Sequence, residues 1–164
     1  MTRNDYFVAG LILCAGLSLS APRTARAYHL TGLGFQAGIV DPEGLSTTAR
    51  FAGHLEFEKA GSHLHLVPSV AVWSNQGVRN INPNFDLYYH INHADVISPY
   101  VGAGLGVHAY HFDAPSTSKT DIGANLFGGL LFPGHTTRFF LEGRYVVTDR
   151  AQPMLMAGLT FGTH

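Results

Sequence analysis

Histidines recur near a carboxylate in the middle of the chain, and their spacing suits a metal ion. His63 and His65 are two residues apart, which places both imidazoles on one face of a strand. Glu56 precedes them and His90 follows them, and antiparallel pairing across the intervening turns brings all four together. Three imidazoles and a carboxylate can bind zinc. The same residues would also serve as hydrogen-bonding groups in a polar interior, so the sequence leaves both interpretations open.

Ionic side chains of both signs occupy one face of several segments. Three arginines and three acids alternate with apolar neighbours, and their charges balance. We expect them to form a buried ionic network, because charges survive burial only when they are paired. The network is predicted to comprise Arg50, Glu56, Asp86, Arg138, Glu142 and Arg144.

A nucleophilic catalytic set is a weaker possibility. His111, Asp113 and Ser116 are close in sequence and combine a base, an acid and a hydroxyl, the residue types that activate a serine nucleophile. They occupy a predicted loop and match no known catalytic motif, so we interpret them as polar loop residues. The only cysteine, Cys14, lies in a predicted signal segment. The sequence therefore predicts no enzyme activity and no cofactor.

Apolar and polar residues alternate along most of the chain. In Asn80–Ile91 the odd positions are mostly apolar and the even positions mostly polar, the period of a strand with two different faces. Turn-forming residues separate eight such segments, which favours an antiparallel up-and-down meander. The predicted strands are Leu30–Val40, Leu45–Glu58, His63–Trp73, Asn80–Ile91, Ile97–Tyr110, Asp121–Phe132, Arg138–Thr148 and Pro153–Gly162. Pro68 and Pro83 each remove a ladder donor, and we expect a bulge or a strand end at both.

The composition excludes several classes of protein. Of 164 residues 46% are hydrophobic and only 13% charged, and the net charge is −1. Disordered chains have the opposite composition, and a nucleic-acid-binding protein would need a basic surface. Residues 1–27 combine a basic start, an apolar stretch and the small residues Ala25 and Ala27, which predicts a secretory signal peptide. Residues 28–164 then form the folded domain.

The nature of the two strand faces decides between a soluble and a membrane barrel. The apolar face carries almost no charge, whereas the other face carries ionic side chains and many glycines. A soluble lipocalin-like barrel would place the apolar face inside. A membrane barrel turns that face to lipid and the polar face to the lumen. The sequence therefore predicts an all-β, eight-stranded antiparallel transmembrane barrel.

Three stretches resemble the family of small OmpA/OmpX-like outer-membrane barrels. They are PYVGAGLG at residues 99–106, FLEGRY at 140–145 and AGLTF at 157–161. The resemblance covers the predicted domain and implies an integral outer-membrane protein. It also implies outer-membrane lipid as surroundings, periplasmic chaperones and the barrel-assembly machinery as partners during export, and a monomer without nucleic-acid partners.

The function predicted from the sequence is a structural or surface-interaction barrel in the cell envelope with a plugged polar lumen. Two alternatives remain open. One is a barrel enzyme that modifies lipid A, and the other is a soluble lipocalin-like binding protein of the periplasm.

Overall fold

Eight strands form a closed antiparallel barrel in the computed structural model, which describes residues 28–59, 61–91, 97–114 and 116–162. The strands are β1 (His29–Val40), β2 (Thr48–Glu58), β3 (Leu64–Asn75), β4 (Val78–His90), β5 (Ser98–Phe112), β6 (Thr117–Phe132), β7 (Thr137–Val147) and β8 (Gln152–Phe161). Each strand pairs with its sequence neighbours, and β1 closes the ring against β8. The predicted up-and-down topology is confirmed. The predicted signal peptide lies outside the described residues. No helix long and apolar enough to cross a bilayer occurs in the described part of the chain.

Apolar side chains cover the outside of the barrel and polar side chains fill the inside. Phe35 and Leu105 are 62% exposed and Ile122 is 75% exposed, whereas Arg50 and Asp86 are 1% exposed. This polarity is the reverse of a soluble barrel and matches a strand wall that faces lipid. The predicted transmembrane barrel is therefore confirmed, and its inside-out polarity does not support the lipocalin-like alternative.

The two ends of the barrel differ. The turns β2–β3, β4–β5 and β6–β7 lie at one end, where five of the eight strands carry an outward-facing aromatic ring. We call this the girdle end, and its rings belong to Phe57, Tyr89, Phe132, Phe139 and Phe161. The opposite end carries the connections β1–β2, β3–β4, β5–β6 and β7–β8, and we call it the loop end.

Strand boundaries depart from the alternation at the loop end. Strand β6 begins at Thr117 rather than Asp121, because residues typical of turns still pair with β5, as Ser118 does with His111. Strand β2 begins at Thr48 rather than Leu45, since a side-chain bond from Thr47 to Asp41 holds the preceding residues in a turn.

The connection between β3 and β4 is tighter than the predicted Ser74–Arg79 loop. Asn75 pairs with Val78, so only Gln76 and Gly77 lie between the strands. Both have positive φ, 48° and 75°, the conformation that two-residue hairpins require.

The expected bulge or strand end at each proline is wrong. Strands β3 and β4 run through Pro68 and Pro83, and the register is the same on either side. Instead, the β2–β3 ladder is interrupted between the His54–Ser69 and Phe57–Leu66 pairs. Each proline lacks only one N–H, and the remaining pairs hold the strand in line.

A side chain replaces the donor that Pro83 lacks. The β4–β5 ladder is interrupted between the Ile81–Ala109 and Asn84–Gly106 pairs, and its constant register sets Val107 opposite Pro83. Asn82, which points into the lumen, donates from Nδ2 to the Val107 carbonyl at 3.0 Å. The carbonyl is thereby satisfied without a bulge, as an apolar surrounding requires.

Asn82→Ala should therefore destabilise the barrel by about 1–3 kcal/mol, the cost of leaving a buried acceptor unsatisfied. Pro83→Val keeps an apolar side chain towards lipid and restores the backbone N–H opposite Val107. In that background Asn82→Ala should therefore destabilise the barrel less. Urea unfolding in lipid vesicles would measure all four variants of this cycle. Asn82 Oδ1 also accepts from Asn84 at 2.9 Å. The loss of stability that Asn82→Ala still causes in the Pro83→Val background measures this second contact. Equal costs in the two backgrounds would contradict the assigned role of Asn82.

Candidate functional site

The centre of the lumen is organised around one arginine. Arg144 on β7 donates from Nη1 to Asp86 Oδ2 at 2.7 Å and from Nε to Glu142 Oε1 at 2.9 Å. Its guanidinium carbon lies 4.4 Å from the centre of the Phe127 ring. All three charged side chains are at most 1% exposed. The bonds span the lumen from β7 to β4 and tie two distant strands together.

Two tyrosines complete the shell of the central acid. Tyr88 and Tyr100 each donate a hydroxyl to Glu142 Oε2 at 3.0 Å. Tyr88 also accepts from Arg144 Nη2 at 3.1 Å. Both oxygens of Glu142 are therefore hydrogen-bonded, as a buried carboxylate requires.

An asparagine chain extends the network towards the loop end. Asn125 Nδ2 donates to Asp86 Oδ1 and to Asn84 Oδ1, both at 2.9 Å. Asn84 in turn donates to Asn82 Oδ1 at 2.9 Å. These amides are not among the six residues predicted for the network. For Asn82 and Asn84, the even-numbered positions on the same face of β4 as Asp86 are the available signal.

Glycines provide the space for these bulky groups. A Cβ on Gly102 would overlap the Phe127 ring, and a Cβ on Gly104 would overlap the Asp86 carboxylate. Gly129 stands in the same relation to Tyr100. The glycine-rich face of β5 and β6 is thus the counterpart of the large side chains that fill the lumen.

The six predicted ionic residues are all buried, but they do not form one network. Arg138 and Glu56 make a separate bidentate pair near the girdle end, with Nη2–Oε2 at 2.8 Å and Nη1–Oε1 at 3.1 Å. Arg50 instead donates to Met156 Sδ at 2.7 Å.

Three of the four predicted metal ligands meet at the girdle end. Glu56, His65 and His90 are buried, and one donor atom from each lies within 4.8 Å of the others. His65 Nδ1 donates to Glu56 Oε1 at 2.5 Å, and the His65 and His90 ring centres are 4.4 Å apart. His63 does not join this set. Its Nδ1 donates to the His90 carbonyl at 2.8 Å.

The cavities found between the described lumen residues are small. A cavity of about 30 Å³ adjoins the girdle-end cluster and is lined in part by Glu56, His90 and Tyr100. A second cavity of about 40 Å³ lies near Trp73 and Tyr110 at the loop end. Each has room for one or two waters, far below the 300–1,000 Å³ of ordinary ligand pockets.

Surface charges at the loop end form exposed pairs. Lys119 Nζ donates to Asp149 at 2.7 Å, and this bond holds the pKa of Asp149 below its ordinary value. His111 Nδ1 lies 3.2 Å from Ser118 Oγ, and its Nε2 lies 4.0 Å from Asp113 Oδ1. The hydroxyl beside His111 is therefore that of Ser118 and not that of Ser116, the serine of the predicted set.

Arg144→Met should destabilise the barrel by about 3–5 kcal/mol, because it leaves two buried carboxylates without their cation. Arg79→Met is the matched control. Arg79 is 65% exposed and pairs with Asp113 at 3.2 Å, and such surface pairs contribute about 0–1 kcal/mol. Urea unfolding in vesicles would compare the two. Equal losses would contradict a central role for Arg144.

Two solved structures have a similar fold. Neisserial surface protein A superposes with a TM-score of 0.70 at 13% identity, over 83% of this chain and 99% of that one. A second structure is that of Ail, the attachment invasion locus protein of Yersinia pestis, in complex with the heparin analogue sucrose octasulfate. It superposes with a TM-score of 0.53 at 16% identity, over 80% of this chain and 95% of that one. The sequence matches no protein-family model and no curated protein. At these identities the likeness concerns the fold alone, and the chain has the fold of the small eight-stranded outer-membrane β-barrels.

Proposed function

We propose that this protein is an integral outer-membrane barrel whose lumen is plugged and whose role is structural or in surface interaction. The observation that carries the proposal is the inverted polarity of the wall. Outward Phe, Leu and Ile side chains are exposed on all sides while arginines and carboxylates are buried. Exposed apolar area of this extent requires lipid contact, and a closed sheet satisfies the backbone there.

The contents of the lumen support a plug rather than a pore. An eight-stranded barrel is just wide enough for side chains, and Arg144 crosses it to Asp86. The two cavities between the described lumen residues have room for only a few waters. The barrel consequently holds its position in the membrane without offering a diffusive path.

The proposed orientation places the girdle end in the periplasm and the loop end outside. Strands of 10–16 residues are long enough to cross a bilayer, which takes roughly 9–11 residues, and the aromatic ring marks one interface. Export by a signal peptide, insertion by the assembly machinery and a monomeric state belong to this proposal.

We do not propose a heparin-like polyanion as a ligand of this protein, although the Yersinia protein is in complex with a heparin analogue. In the described part of the loop end, acidic residues outnumber basic ones by five to three. They are Asp41, Glu43, Asp113, Asp121 and Asp149 against Arg79, Lys119 and Arg150. A polyanion would meet net repulsion there, so any partner of this surface should be neutral or cationic.

Cysteine labelling of intact cells tests location and orientation together. The only cysteine, Cys14, belongs to the predicted signal peptide. Ser116→Cys at the loop end should react with a membrane-impermeant maleimide in intact cells. Thr136→Cys at the girdle end should react only after the outer membrane is permeabilised. Both proteins should fractionate with the outer membrane and shift in gel mobility on boiling. A soluble, unshifted protein, or labelling at Thr136→Cys alone, would overturn the proposal.

A second candidate function is modification of lipid A at the outer leaflet. The observation in its favour is the 3.2 Å contact of His111 with Ser118, with Asp113 on the far side of the ring. Against it, Asp113 also binds Arg79 at 3.2 Å, and these side chains are solvent-exposed. Catalytic sets are normally shielded from water.

Mass analysis of lipid A decides between the two candidates. Cells with the wild-type chain, with Ser118→Ala and with no copy should give the same lipid A masses if the barrel is not an enzyme. Ser116→Ala is the matched control. Loss or gain of an acyl chain that depends on Ser118 but not on Ser116 would establish the enzyme instead.

A further inference from the structure

The girdle-end cluster contains the donor atoms of a metal site on three adjacent strands. Glu56 comes from β2, His65 from β3 and His90 from β4. Their exposed fractions are 6%, 8% and 8%. Ligand atoms about 2.0–2.1 Å from a tetrahedral zinc ion stand roughly 3.4 Å apart. Donor atoms within 4.8 Å of one another therefore need only small side-chain movements to enclose the ion.

The carboxylate keeps an anchor when it binds a metal. Glu56 Oε2 accepts from Arg138 Nη2 at 2.8 Å, on the oxygen that does not face His65. Oε1 also accepts from Arg138 Nη1 at 3.1 Å, and it can exchange its contact with His65 for the ion while the carboxylate stays on Arg138. Ligating carboxylates are commonly held in this way by a second hydrogen bond.

Space beside the cluster can hold a fourth ligand. The cavity of about 30 Å³ is lined by both Glu56 and His90, so a water bound to the ion would fit there. Two imidazoles, one carboxylate and a water form a familiar zinc set. Without an ion, His65 and His90 have ring centres 4.4 Å apart, in contact but without a hydrogen bond between them.

We propose that Glu56, His65 and His90 form a binding site for a divalent transition-metal ion of the zinc class at the girdle end of the lumen. The bound ion would join β2, β3 and β4 near the point where the Pro68 interruption weakens the β2–β3 ladder. The ion therefore stabilises the pairing of these three strands in this part of the wall. The site depends on geometry inside the barrel and holds whichever end faces the periplasm.

The test uses the untagged mature barrel refolded in detergent and freed of metal with a chelator. Zinc should bind one ion per barrel and raise the melting temperature, and cobalt should give the visible absorption of a tetrahedral complex. His65→Gln and His90→Gln should each weaken zinc binding by at least about tenfold. His111→Gln and His135→Gln are matched controls, exposed at the loop end and the girdle end, and should bind as the wild type does.

Folding of every variant is checked by the boiling-dependent gel shift. X-ray absorption of the zinc-loaded wild type provides a measurement that needs no variant and should count two imidazole ligands. Absence of zinc binding by the folded wild type would overturn the proposal. So would binding that survives both lumen substitutions and is lost in a surface control, or an absorption spectrum without imidazole. The proposed membrane role would stand in each of these cases.

Discussion

Every backbone donor and acceptor in the wall must find its partner inside the protein, because lipid offers none. This requirement closes the sheet through the β1–β8 pair and leaves no edge. The same requirement explains the contact beside Pro83. Because Pro83 has no N–H, the Val107 carbonyl lacks a ladder donor, and the lumen-facing Asn82 amide donates to it instead. Once the wall is closed, one face of each strand meets lipid and the other is enclosed with its neighbours. The polarity of both faces follows from that division.

The enclosed face solves a second problem, the burial of charge. Arg144 has two carboxylates, an aromatic face and a tyrosine hydroxyl around it, so burial costs it few interactions. The large groups are accommodated because β5 presents glycine where β4 and β6 present carboxylate or aromatic side chains. The sizes and charges of side chains on neighbouring strands are therefore matched. A larger residue in place of a β5 glycine would displace the side chain opposite it on β4 or β6.

The strands and their two faces were predictable from the sequence, since a period of two is a local property and persists through Asn80–Ile91. Contacts across the lumen were not, because alternation places a side chain inside without specifying its partner. Arg50 illustrates the difference: its burial was predicted, but its thioether partner, Met156, lies 106 residues away. The prediction placed His63 on a strand face with His65, yet His63 precedes β3 at the rim and bonds a backbone carbonyl. Pro68 and Pro83 were read by a general rule that neglects the surrounding register.

Seven of the eight strand pairings join sequence neighbours, and only the β1–β8 seam joins distant parts of the chain. Tyr28 and Gly162 lie at the same end of the barrel, on either side of that seam. The order of strands around the ring is therefore cyclic, and any hairpin connection is equivalent to the seam in topology. Linking the two ends and opening the chain at Gln76–Gly77 would produce a circular permutant with the same wall and the same lumen contacts. The pairing between strands far apart in sequence would then be that of β3 with β4. The entropic cost of closing the ring would fall on that pairing, while the side chains inside the barrel would stay the same.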